Sequence, residues 1–188
     1  MKKGLIAVIV ILVIIGVIVA TVFGSYNSLV ALDEGVNTQW ANVESKLQRR
    51  FDLIPNLVES VKGAMAQEQE IFTAIADARA KMAGAQSTTE KVEASNQLEG
   101  ALGRLLVVVE NYPVLKSNEN VTALMDELAG TENRISTERD RYNEVVRQYN
   151  SAIRSFPKNI LAGMFGFEQR PYFEATEGAE TVPEVNFD

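Results

Sequence analysis

Leu5–Phe23 reads LIAVIVILVIIGVIVATVF, a run without a charge and with Thr21 as its one polar side chain. As a helix rising about 1.5 Å per residue it is about 28 Å long, close to the roughly 30 Å hydrocarbon core of a bilayer. A helix satisfies its own backbone hydrogen bonds, so it can lie in lipid at little polar cost. The run exceeds the apolar core of a secretory signal, about 7–15 residues. Its best cleavage position, after Gly24 with Val22 two residues earlier, is only passable. The expectation is a retained anchor over residues 1–25. Lys2 and Lys3 precede the span, and the first basic residue after it is Lys46. That bias puts the N-terminus in the cytoplasm and the bulk of the chain outside it, as a single-pass protein.

Everything beyond the span is polar and helix-patterned. Val36, Trp40, Val43, Leu47, Phe51, Ile54, Val58, Val61 and Met65 recur at alternating spacings of four and three, the stripe of an amphipathic helix. Phe72, Ile75 and Met82 extend it weakly. The pattern predicts a first helix that reaches about residue 83, kinked at Pro55, whose ring opposes the carbonyl of Phe51. Gly84–Thr89 is a break, with Thr89 as the N-cap of a second helix striped by Leu98, Leu102, Leu105, Val109 and Tyr112. Pro113 ends that helix. A third starts at a Ser117 or Asn118 cap and runs to Pro157. Its seam is Val121, Leu124, Leu128, Ile135, Tyr142, Val145, Tyr149, Ala152 and Phe156, with Thr131 and Glu138 as polar members.

Stripes of this kind bury against each other. The expected fold is therefore all-α: a single N-terminal transmembrane helix, then an elongated antiparallel bundle of three to four long helices over 26–167. No stretch alternates with period two, so no sheet is expected. Ile160–Phe167 is too short to span a bilayer. It is expected to cap the bundle, with contact at the membrane surface as the alternative. Residues 168–188 are expected to form an acidic, flexible tail.

Charge and composition narrow the function. The chain has 18 basic and 25 acidic side chains. Such a surface disfavours nucleic acid and anionic lipid headgroups as general partners. There is no cysteine and no histidine, which removes disulfides, a lipoprotein anchor, thiol nucleophiles, imidazole bases and the usual zinc or iron sites. Glu68 with Glu70, and Asp126 with Glu127, sit in helical surface contexts, and no glycine-rich phosphate loop exists. No enzyme activity, catalytic residue, cofactor or metal is expected.

Three groups of residues stand out as interaction or structural motifs. In Arg49-Arg-Phe-Asp-Leu-Ile-Pro-Asn-Leu-Val58, the residues Arg49, Arg50, Asp52, Pro55 and Asn56 make either a helix face with local ion pairs or a docking site at a kink. Glu110, Tyr112, Pro113 and Lys116 read as a helix end with an aromatic packed at its terminus. Gly16, Ala20 and Gly24 lie four apart on one face of the span, a small-residue pattern that lets membrane helices approach. Membrane lipid and further copies of the chain are the expected partners. Gly4 before a long apolar helix also resembles the start of a type IV pilin. Ile9, however, stands where a pilin has its glutamate, and the span holds no acid.

The chain resembles the LemA family. The likeness rests on Tyr26-Asn27-x-Leu29 after the span, Val36, Trp40, and Leu47-x-Arg-Arg-x-Asp-Leu-Ile-Pro-Asn-Leu-Val58 with Val61-Lys62. It continues through Arg79, Glu110-x-Tyr-Pro-x-Leu-Lys116, Asn118, Glu132, Ile135, Arg139, Tyr142-Asn143, Val146, Tyr149-Asn150, Phe156-Pro157 and Gly166-Phe167. Gln67 departs from it, since many relatives have a histidine before Glu68. The resemblance implies a long helical bundle on one N-terminal anchor in a bacterial cell membrane, and no established activity. It also implies an adaptor or organiser at the membrane, because members are often encoded near a membrane-embedded zinc protease and a relative occurs among magnetosome membrane proteins. On that footing the Arg50–Asn56 motif is as much a buried structural network as a docking surface.

Overall fold

The computed structural model describes residues 2–174. Six helices follow one another: α1 (Lys2–Lys62), α2 (Gln69–Gly84), α3 (Thr88–Glu110), α4 (Pro113–Lys116), α5 (Glu119–Arg154) and α6 (Lys158–Phe165), with no strand among the described residues. They are all-α, as expected, and α1 is the one helix among them long and apolar enough to cross a membrane. Its large apolar side chains from Val8 to Phe23 are exposed; Leu12 and Phe23 are 62% and 66% exposed.

The helix boundaries differ from the expected ones in three places. First, the helix runs through Pro55, as expected, but α1 ends at Lys62, short of residue 83, and α2 begins only at Gln69. A proline inside a helix forfeits one backbone bond. Here Leu53, Ile54, Leu57 and Val61 are all buried around it, and that packing holds the helix. The break comes at Gly63, where the N–H groups of Ala64 and Met65 both reach the carbonyl of Val61. Second, the N-cap of α3 is Ser87 and not Thr89. The Ser87 hydroxyl accepts from the N–H of Glu90 and the Glu90 carboxylate accepts from the N–H of Ser87, a complete capping box. Backbone N–H groups of Gln86 and then Ser87 hold the Glu90 carboxyl below its ordinary range. The box is therefore intact at neutral pH and is lost as pH falls through that lowered value. Ser87→Ala is expected to lower stability by about 1 kcal/mol, read from the denaturant midpoint. Third, the seam of α5 drifts. Val146 and Ile153 are buried where Val145 and Ala152 were expected, and Phe156 is 81% exposed. A straight helix of 3.6 residues per turn walks off a strict seven-residue repeat.

The chain divides into two compact units that do not follow chain order. Unit 1 combines 1–41 with 141–170. Within it α1 and the end of α5 run antiparallel: Trp40 meets Tyr142 with ring centroids 5.3 Å apart, and Ser28 meets Lys158. Gly166, at φ 75°, ends α6 in the left-handed region that suits glycine. The chain beyond it is tied back by Arg170, whose guanidinium donates to Asp33 at 2.9 Å and whose backbone exchanges two bonds with the Asn150 amide.

Unit 2 combines 42–140 with the chain after Arg170. Its core is one cluster drawn from α1, α2, α3, α4 and α5, centred on Ile54, Leu57, Val61, Leu98, Leu105 and Val121. On α1, Arg49 pairs with Glu127 and Arg50 with Glu132, both of α5. Asn118 caps α5, as expected, by accepting from the N–H groups of Asn120 and Val121. Of the expected tail, residues 168–174 are described, and Phe173 is buried against the Arg139 guanidinium at 4.3 Å. The rest of the tail, 175–188, lies outside the described residues.

Candidate functional site

Arg49 and Arg50 are adjacent in sequence and opposite in environment. A helix turns 100° per residue, so if one faces the core the other cannot. Arg49 is exposed and pairs with Glu127 on the surface. Arg50 is 2% exposed. Its Nη1 donates to Glu132 Oε2 at 2.6 Å, and its Nη2 donates to Ser95 Oγ at 2.5 Å and to the Ser95 carbonyl at 3.3 Å. Arg139 closes the cluster from α5, donating to Glu99 Oε2 at 2.9 Å and to Ser95 Oγ at 3.4 Å. Glu99 Oε2 also lies 3.9 Å from Arg50 Nη1.

Three helices thus meet around Ser95, which is fully buried. Two guanidiniums face two carboxylates, so the formal charges cancel. Burial pushes the Arg50 guanidinium down, Glu132 opposes that shift and Arg139 adds to it. Arginine nonetheless stays charged. The Nε groups of Arg50 and Arg139 are buried without a hydrogen-bond partner. A cleft of about 360 Å³ opens beside the cluster, walled by Leu102, Leu106 and Leu128 and floored by Arg50, Glu99 and Glu132.

The other candidate residues fall into separate places. Asp52 is exposed and accepts from Gln48 Nε2 at 2.8 Å. Pro55 is half-buried beside a cleft it shares with Phe72, Ile75 and Arg79. Asn56 is exposed, and its carbonyl accepts from the Ser60 hydroxyl. Glu110 ends α3, Tyr112 caps α4, Pro113 is its first residue and Lys116 its last. The Tyr112 hydroxyl donates to Glu68 at 3.4 Å, at the head of α2. That motif fastens a helix junction and does not join the Arg50 cluster. Gly16, Ala20 and Gly24 are exposed on the span, and a Cβ added at either glycine would meet nothing within 4 Å.

Ser95 and Glu99 were not singled out from the sequence, and Glu132 and Arg139 entered only through the family likeness. Ser95 and Glu99 are four apart on α3 and so share its face. Polar residues at such spacing beside an apolar stripe are the available signal for a buried polar crossing. No group of three or more acidic side chains able to hold a metal ion occurs among the described residues.

The fold and this cluster define an all-helical protein with one span-length apolar helix, whose buried charges are spent on each other. The chain belongs to the LemA family, whose model matches residues 39–187. It is similar to the magnetosome proteins MamQ 1 and MamQ 2 of Paramagnetospirillum magneticum. Each is 30% identical over 189 residues, covering 87% of this chain and 70% of the relative. It is also similar to protein LemA of Metamycoplasma hominis, 24% identical over 164 residues, covering 87% of this chain and 75% of the relative.

Proposed function

We propose that this is a membrane-anchored, self-associating helical scaffold or adaptor without catalytic activity. Its helices lie on the extracytoplasmic side and its N-terminus in the cytoplasm. The observation that carries the reading is the closed cluster. Ser95 Oγ, the one hydroxyl in it, already accepts from two guanidiniums, and each carboxylate is engaged by an arginine. A general base needs a free lone pair aimed at a substrate proton, whereas both carboxylates here are drawn towards guanidiniums. Such a network can set the register of three helices. The long exposed apolar run of α1 supports the anchor, and the kinship with magnetosome proteins supports a role at a membrane. An adaptor for a membrane-embedded protease fits the same architecture, with the cleft at Leu102, Leu106 and Leu128 as the contact.

Self-association is tested in mild detergent by light scattering, which gives the protein mass. The expected result is a mass above that of one chain; a monomer would overturn this part of the reading. Gly16→Leu with Gly24→Leu fills a face that a single chain leaves open. The double variant is expected to shrink the particle if anchors pack through that face. An unchanged mass would assign assembly to the helices beyond the span.

A further inference from the structure

The exposed apolar surface beyond the span is concentrated in one place. Among the described residues, eight large apolar side chains are exposed after Phe23, and four of them are Phe156, Ile160, Met164 and Phe165. Leu161 and Ala162, on the other face of α6, are buried. The segment is therefore two-sided: one face packs within unit 1 and the other is uncovered.

Its neighbours say what covers that face. Phe156, Pro157, Ile160 and Leu161 line a cavity of about 330 Å³ with Val17, Ile18, Thr21, Val22 and Ser25 of α1. Those α1 residues are the last turns of the apolar run. Val17 lies six residues before Phe23, so at about 1.5 Å per residue the segment reaches about 9 Å below the end of the run. Interfacial helices sink their apolar face about 5–10 Å into the boundary between headgroups and acyl chains. The polar groups lie where that placement needs them. The Lys158 ammonium donates to Ser28 Oγ at 2.8 Å, past the end of the span, and the basic Arg154 is exposed. Tyr26 stands against Phe165 and Phe167, with centroids 4.8 and 6.1 Å away, an aromatic group at the level where such rings favour an interface. The backbone ends of α6 are closed: Asn159 donates to Ser155 and Phe167 to Ala162.

We propose that Phe156 and α6 are seated in the interfacial layer of the bilayer beside the exit of the span, as a second contact between this chain and lipid. The proposal rests on the reading that α1 crosses the membrane. It makes the return from α5 a membrane-bound corner, with the apolar face of α6 against acyl chains and Lys158 and Arg154 among headgroups. The rival occupant of the same face is a second copy of this chain.

The chain has no cysteine, so a single one takes an environment-sensitive NBD label at a known place. Full-length variants Phe156→Cys, Met164→Cys, Ile11→Cys and Lys116→Cys are reconstituted into phosphatidylcholine–phosphatidylglycerol vesicles. Some vesicles carry lipid spin-labelled near the headgroup, others lipid spin-labelled near the bilayer centre. Trp40 emission matched to the unsubstituted protein certifies each fold. The proposal expects a blue shift and a loss of emission at Phe156 and Met164, greater with the shallow quencher. Ile11 is expected to be quenched most by the central one, and Lys116 by neither. Probes at Phe156 and Met164 as polar and unquenched as at Lys116, with Ile11 still quenched, would overturn the proposal and leave the anchor standing. A blue shift without quenching by either lipid would mean that protein covers the face, and would also overturn it. No quenching at Ile11 would overturn the anchor itself, and the proposal with it.

Discussion

Arg50→Ala in the full-length protein is expected to lower unfolding stability by about 2–3 kcal/mol, while Arg49→Ala, one residue away, changes it by about 0–1 kcal/mol. The two arginines differ in what they leave behind. Without Arg50, the buried Ser95 carbonyl loses its side-chain donor, and Ser95 Oγ keeps only the long contact from Arg139. Stripping such bonds from buried oxygens costs about 1–3 kcal/mol. Glu132 and Glu99 are over a third exposed or nearly so, at 35% and 38%, so water takes up part of their loss. That keeps the figure below the roughly 3–5 kcal/mol of a fully enclosed pair. Arg49 is already 57% exposed beside Glu127. Denaturant unfolding in detergent, followed by circular dichroism, measures both. Equal small losses for the two variants would show that the cluster does not hold the helices together.

Tyr142→Ala is the second large effect, at about 3–5 kcal/mol. Tyr142 is 2% exposed, and its ring meets Trp40 at a 59° tilt. Removal leaves a hole that α1 and α5 cannot close without moving. Trp40 is the chain's one tryptophan, so its emission reports the site directly and should shift to the red. Tyr142→Phe keeps the ring and should keep the emission. Burial pushes the Tyr142 phenol above its ordinary range, with Arg170 opposing. Its contribution is therefore whole at neutral pH and is lost only as pH rises through and above that range. An unshifted Trp40 in the alanine variant would refute the packing role.

The span and the apolar stripes were legible because each is a local pattern. Val43, Leu47, Ile54, Val61, Leu98, Leu105 and Ile135 sit in the core for the reason their spacing suggests. The break after Lys62 was not legible, because the apolar spacing continues across it through Met65, Phe72 and Ile75. Ser87-Thr-Thr-Glu90 held a readable capping signal, and Thr89 was preferred over it. The Arg50 cluster was hidden for a different reason. Its members are separated by 45 and 82 positions, and no local period links an arginine on one helix to a serine on another. Arg50 stood out by its motif, and its burial became visible only with its partners. Likewise, an apolar face on Ile160–Phe167 is readable, but its neighbours on the span are not.

The make-up of unit 1 has a consequence in time. It joins 1–41 to 141–170, and Lys158, which binds Ser28, is synthesised 130 residues later. At about 5–20 residues per second, that interval is on the order of 10 s. Through it, Leu29 and Val36, at 0% and 2% exposure in the finished protein, wait without the partner that covers them. Unit 1 therefore folds only once translation is nearly complete. A chain that stops before Arg141 leaves the ribosome with its first helix still exposed to chaperones and proteases.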